Sequence, residues 1–376
     1  MASGQKKDVL LVGFGAVGAI YSLILKRSGF AHVTAVARSN YDIVNAHGLQ
    51  FRSGKYGTIN GWKPDRLFKS VADAADRQYS YVVLTTKAIP EVATTPTILA
   101  PLLSPPYSDR YNQPTYILLQ NGLNVERDLY NTLKNLKKGP PSIVSTSLYI
   151  GTNLVQPNVV EHSNFDRLSL GVYRHGDFTT TTNTNEEAAL LDDIGGILKA
   201  GGSTITIVPE IQRMKFSKNF WNVAFSSITT LSGYPLPSIF RKPPKDSSVP
   251  YAPYVSPTTA ELINTYTIPN IRAILIELLT LGHAMGFPDS LDGLPSSVVD
   301  TVLNNTRGLH ETPESTHIPS MLLDTQKGQP IEVEVIIGEV VRLAKEFKVD
   351  IPRVEMLYAV LLVVQNQILR KCEAGK

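Results

Sequence analysis

Apolar positions run in short unbroken blocks through the first half of the chain and recur at helical spacing through the second. The first block, Val9-Leu10-Leu11-Val12, leads into a glycine-rich turn and then into apolar positions three and four apart. That order predicts a strand, a turn and a helix over 16–27 that stops at Ser28-Gly29. Further blocks predict strands at 33–37, 81–86, 116–119, 142–149 and 204–208. Segments 49–51 and 57–59 read as a small hairpin, and 159–162 with 168–171 as a second hairpin pair. The threonine- and asparagine-rich tract 179–185 reads as a solvated loop. From 211 onward the period is helical, with helices expected at 211–228, 267–286 and 295–304, the last with Pro295 in its first turn. Gly328 reads as a helix stop and Pro330 as the next start, with Val333, Ile336, Ile337, Val340, Ala344 and Phe347 on the buried stripe. A final helix is expected over 354–369. Segment 234–257 is crowded with prolines, so it cannot be regular helix, and it is long for a connection.

The turn after the first strand reads Gly13-Phe14-Gly15-Ala16-Val17-Gly18. In a strand–turn–helix setting this Gly-x-Gly-x-x-Gly run is the dinucleotide fingerprint. Gly13 allows the tight turn, Gly15 lets the backbone approach a pyrophosphate, and Gly18 lets the helix pack close. The free N–H groups of the helix start then face the phosphates. Arg38 ends the second strand about 20 residues past the last glycine, where an NAD-binding fold carries an acid for the ribose 2′-hydroxyl. An arginine there would pair with a 2′-phosphate, which favours NADP (NADPH) over NAD; the bland alternative is a solvated surface arginine. Lys87 and Asn121 also fall at carboxyl ends of strands, where ligands of open α/β sheets bind, although either could be a plain loop residue. The expected fold class is α/β: an N-terminal Rossmann-type dinucleotide-binding domain over 1–209, then an all-helical C-terminal substrate and catalytic domain over 210–376.

Composition adds limits. The 376 residues are 43% hydrophobic and 18% charged, with a net charge of +3. That charge is too small to point to nucleic acid or an acidic membrane as a partner. The one cysteine, Cys372, forms no internal disulfide, no apolar run reaches the roughly 20 residues of a membrane span, and the start carries no signal region. A cytoplasmic protein is expected. The seven histidines show no metal-ligand spacing, so no metal is expected; His310 and His317 read as solvated loop residues before Ser320. No Gly-x-Ser-x-Gly elbow supports a serine hydrolase.

In the helical half, Lys218, Asn222 and Ser226 are spaced by four and would share one face of the 211–228 helix, with Phe220, Val223, Ala224 and Ser227 largely off it. That row is either solvent-exposed or a cleft wall facing a nicotinamide. Glu332 would sit in the first turn of its helix, where the dipole alone favours an acid.

Taken together, Gly13-x-Gly15-x-x-Gly18, Arg38, Thr86-Lys87-Ala88, Gln120-Asn121-Gly122, Lys218-x-x-x-Asn222 and Ser320-Met321 with Glu332 resemble the ketopantoate reductase family over nearly the whole length. The resemblance implies a Rossmann domain joined to a helical one, and reduction of a 2-oxo acid by NADPH, with ketopantoate to (R)-pantoate in pantothenate biosynthesis as the first substrate. It further implies that Lys218 is the general acid and that Glu332 orients Lys218 or the nicotinamide ribose. Asn222, Ser226 and Ser320 would hold substrate, and Lys87 and Asn121 would serve the cofactor and the mouth of the cleft. The family usually carries a second asparagine where this chain has Ser226, and its counterpart of 234–257 is shorter. Both departures bear on the substrate. The alternatives are the same chemistry on another keto acid of secondary metabolism, and a non-catalytic NADP-binding sensor. The helical domain could offer a face for a homodimer.

Overall fold

The computed structural model describes residues 6–246 and 252–374. The chain divides into two compact units, Met1–Lys215 and Phe216–Lys376.

The first unit is built on one ten-stranded sheet in the order β4-β3-β9-β8-β7-β6-β1-β2-β5, with β10 paired to β9. The strands are β1 (Lys7–Val12), β2 (Ala31–Val36), β3 (Leu49–Ser53), β4 (Gly57–Trp62), β5 (Arg66–Phe68), β6 (Tyr81–Leu84), β7 (Thr115–Leu118), β8 (Ile143–Gln156), β9 (Val159–Val172) and β10 (Thr204–Ile207). β1 lies parallel between β2 and β6. The chain leaves β1 towards β2 on one side and returns to β6 on the other, so the strand order reverses at the carboxyl end of β1. Ligands of open α/β sheets bind at such a reversal.

The helix Ala16–Arg27 follows β1 directly, and residues Gly18 to Leu25 along it are all buried. It is enclosed because the sheet does not stop at the parallel strands. Leu49, Phe51, Val160, Leu168 and Leu170 from β3 and β9, and Leu191, Ile194 and Leu198 from the helix Asn185–Ala200, share one apolar core with it. That second helix has no counterpart among the sequence expectations. A capping box at Thr184 and Glu187 starts it. The expected hairpin of 159–162 and 168–171 is corrected: both lie in the single strand β9, which runs antiparallel to β8. The polar residues between them stay in the strand because Asp166 is buried as an acceptor for Lys55 Nζ (2.6 Å), Tyr56 Oη (2.8 Å) and Ser203 Oγ.

The second unit is helical. The helix Ile211–Trp221 crosses from the first unit and continues through a π turn, Asn222–Ser226, into Ser227–Ser232. Two more π turns occur, Ile263–Thr267 before the helix Ile268–Ala284, and Glu334–Gly338 before the helix Glu339–Phe347. Phe216 packs edge-on against Phe220 and Phe287. Gly282 lets these side chains pack close, since a Cβ there would lie 2.3 Å from Leu294 Cδ2 and 2.9 Å from Phe216 Cε1 and would push them aside. Glu277 accepts from the backbone N–H of Val354 (3.1 Å) and from Arg353 Nη1 (3.0 Å), fixing the start of the last helix, Pro352–Ala374.

Several local expectations are revised. The helix expected at 295–304 is Val298–His310, so Pro295 lies before it rather than in its first turn. Pro330 likewise precedes its helix; Glu332 opens the first turn, and its carbonyl accepts from the Ile336 N–H. Within 234–257, Pro237–Phe240 form a short helical turn because Pro237 occupies the tolerated first position; residues 247–251 lie outside the described residues. Among the described residues no helix is long and apolar enough to cross a membrane.

Candidate functional site

In the first unit the glycines behave as three different constraints. Gly13 has φ +99°, and a Cβ on it would lie 2.7 Å from the Thr86 backbone nitrogen. A Cβ on Gly18 would lie 1.9 Å from the Gly13 carbonyl oxygen and 2.6 Å from Thr85 Oγ1. A Cβ on Gly15 would meet nothing within 4 Å. Two of the glycines are therefore demanded by the fold, whereas Gly15 keeps open a space that the protein does not fill. That space lies at the start of the helix Ala16–Arg27, which has no side-chain cap and no acidic residue in its first turn. Unpaired N–H groups and the positive end of the helix dipole suit an anion there. The residues present thus fit a dinucleotide pyrophosphate.

The turn is held from two sides. Thr85 Oγ1 donates to the Gly13 carbonyl, and Asn40 Nδ2 donates to the Phe14 carbonyl (2.9 Å) and to that of Pro157 (3.2 Å). Asn40 is buried at the N-cap of the helix Tyr41–His47, and its link to Pro157 joins the cradle to the β8–β9 turn. Sequence reasoning passed over it; an asparagine two residues past Arg38 was the available signal. Arg38 itself is exposed just beyond β2.

Gln120 Nε2 donates to the carbonyl (3.0 Å) and hydroxyl (3.2 Å) of Thr86, so the ends of β6 and β7 are tied beside the cradle. Lys87 is exposed and Asn121 half-buried in the segments these contacts fix.

In the second unit the structure packs together the segments that carry the remaining candidates. The π turn Asn222–Ser226 contacts both the helix Ser320–Gln326 and the π turn Glu334–Gly338. Lys218 and Asn222 are half-buried and Ser320 is exposed at its helix start. Ser226 is 1% exposed, and its Oγ has no hydrogen-bond partner among the described residues. Ser226 closes the π turn Asn222–Ser226, and its burial sets it apart from a solvent-exposed row. Glu332 is buried, and its place is set by Gln365. That side chain accepts from the Ile331 N–H (2.9 Å) and donates to the Ile331 carbonyl (3.0 Å). Nothing in the local sequence around Glu332 announces a partner 34 residues away.

His310 also departs from expectation. It ends the helix Val298–His310 and is 1% exposed, with Nδ1 2.8 Å from Ser315 Oγ. Burial, aided by His317 and the Arg241 guanidinium, pushes its pKa down to about 4.

The family model for ketopantoate reductase PanE/ApbA matches residues 9–175, and the model for the PanE/ApbA C-terminal region matches residues 250–365. Uncharacterized protein YDL144C of Saccharomyces cerevisiae is 27% identical over 369 residues, covering 96% of this chain and 94% of that protein. The crystal structure of 2-dehydropantoate 2-reductase from Methylococcus capsulatus superposes with a TM-score of 0.72 at 24% identity, covering 96% of this chain and 97% of that one. The ternary structure of D-mandelate dehydrogenase with NADH and anilino(oxo)acetate gives a TM-score of 0.70 at 16% identity, covering 96% and 99%. At those identities the two structures establish a shared fold.

Proposed function

The chain belongs to the ketopantoate reductase family, NADP-dependent oxidoreductases acting on CH–OH groups, and from that premise we propose that it reduces ketopantoate to (R)-pantoate with NADPH in the cytoplasm. The observation that carries the reading is the open space in front of Gly15 at an uncapped helix start with no acidic residue in its first turn. Gly13 to Gly18 would hold the pyrophosphate there, Arg38 the 2′-phosphate, and Lys87 and Asn121 the rest of the cofactor side. NADPH bound there would supply the hydride for reduction of the 2-oxo group. The Lys218 ammonium gives its proton to the carbonyl oxygen and stabilises the alkoxide as charge develops on it. Glu332 orients Lys218 or the nicotinamide ribose, and Asn222, Ser226 and Ser320 hold the polar groups of the acid. A second reading keeps this chemistry for a different 2-oxo acid. It is favoured by the burial of Ser226, a shorter group than the family's asparagine.

The test is NADPH oxidation followed by absorbance, with ketopantoate beside a panel of other 2-oxo acids and Lys218→Ala as control. Turnover of ketopantoate with a KM of about 1 μM–1 mM, lost in the variant, supports reaction and substrate together. Activity on another panel member alone selects the second reading. NADPH binding with no turnover at all overturns both in favour of a sensor.

A further inference from the structure

One buried ion pair fastens the loop that carries Asn121 to the helix that carries Lys218. Glu126 closes that loop as the N-cap of the helix Arg127–Leu136 and is 1% exposed. Its Oε1 accepts from Lys215 Nζ and from Ser145 Oγ on β8, and Lys215 Nζ also donates to Ser145 Oγ at 3.1 Å. Lys215 is 5% exposed and Ser145 fully buried. Lys215 lies on the helix Ile211–Trp221 three residues before Lys218, and residues three apart share a helix face. The loop is therefore tied at both ends, by Gln120 to Thr86 and by Glu126 to Lys215.

Stability alone does not account for this pair. Taking two charges out of water costs about what their attraction returns, and well-packed apolar residues often do as well or better. What the pair adds is direction. A charge-assisted bond at this point fixes the rotation of the helix about its axis. A rotation of about 10° moves a side-chain tip at ~6 Å radius by roughly 1 Å. A misplacement of that size costs about 100-fold in rate.

We propose that Glu126 and Lys215 are positioning residues: their pair ties the loop 120–126 to the start of the helix Ile211–Trp221 and fixes the rotation of that helix about its axis, and with it the direction in which the helix carries Lys218. The inference rests on the reading of Lys218 given above. Its test uses the full chain with Glu126→Gln, Lys215→Met and the double variant E126L/K215M. In Glu126→Gln, backbone amide exchange is expected to rise in both 120–126 and 211–221 while 7–27 stays protected, and kcat is expected to fall about 100-fold with a smaller change in KM. The double variant is expected to keep the wild-type thermal midpoint and still lack the rate. Wild-type kcat in the folded double variant overturns the proposal, and so does loosening of only one of the two segments in Glu126→Gln. An inactive wild type overturns the functional reading instead, and the exchange pattern still decides the linkage.

Discussion

Asn219 Nδ2 donates to the Ile336 carbonyl at 2.7 Å, and this bond ties the helix Ile211–Trp221, three residues before its π turn, to the π turn Glu334–Gly338. A π turn displaces backbone carbonyls from their ordinary helical partners, and Ile336 sits inside one. Asn219 is itself buried, so no water replaces it cheaply. Asn219→Leu is expected to cost about 1–3 kcal/mol by orphaning the carbonyl. Asn219→Asp is expected to be worse at neutral pH, since an acceptor then faces an acceptor. Urea denaturation of the three proteins checks the order; equal midpoints would remove the bridge from the account.

The glycines of the cradle give a separable pair. Gly15→Ala places a methyl in empty space, so the ligand-free protein should keep its stability to within about 0.5 kcal/mol. NADPH affinity should nevertheless fall by tenfold or more, because the methyl occupies the pyrophosphate's approach. Gly18→Ala should do the opposite kind of damage. Alanine is normally the better helix former by about 1 kcal/mol, but here its Cβ would lie 1.9 Å from the Gly13 carbonyl oxygen. Thermal melts without cofactor, beside fluorescence titration with NADPH, separate the two. A Gly15→Ala protein that binds NADPH normally would refute the cradle assignment.

How much of this was legible in the chain depends on where each partner lies. The helix Ala16–Arg27 reads correctly to its last residue, because its start and stop signals, Gly15 and Ser28-Gly29, are adjacent in sequence. The strands around it read nearly as well for the same reason. β9 was divided because Ser163 to Asp166 look like a turn, and it is Lys55, Tyr56 and Ser203, 37 or more residues away, that make a buried aspartate there possible. Pro295 and Pro330 mark helix starts only approximately, since proline suits the chain before a helix as well as its first turn. The π turns left no periodic signal in the chain, so the spacing of four did not show that Asn222 to Ser226 form one. Lys215 was hidden beside Lys218, a lysine of more familiar spacing, and Glu126 shows its importance only through burial.

Arg38 is expected to decide the cofactor. It is exposed just past the end of β2, beside the buried Asn40 that anchors the turn. Arg38→Asp should weaken NADPH binding about 10–100-fold, the value of one charge-assisted contact of about 1.5–3 kcal/mol. NADH, which has no 2′-phosphate, should lose much less. Equal losses for the two cofactors would rule out the 2′-phosphate role.

His310 is expected to give the second unit an acid sensitivity, beside His317, which burial also holds below the ordinary histidine value. The neutral imidazole is held between Ser315 Oγ at 2.8 Å and the ring of His317, near the Arg241 guanidinium, which donates to the carbonyls of Thr312 and Ser315. Its folded pKa of about 4 lies below the 6.5 of an unfolded histidine. Above pH 6.5 both states are neutral and His310 adds no slope. Between 6.5 and about 4 the unfolded chain takes up a proton that the folded protein refuses, so stability falls as pH falls. Below about 4 both states are charged and the slope vanishes again. The loop 311–319, which leads to Ser320, should loosen over the same window, because protonated His310 would sit beside a buried arginine. Urea midpoints at pH 7, 5.5 and 4.5 should fall more steeply in the wild type than in His310→Gln, which cannot take the proton. Parallel slopes would assign the acid sensitivity to the carboxylates and leave His310 a packing residue.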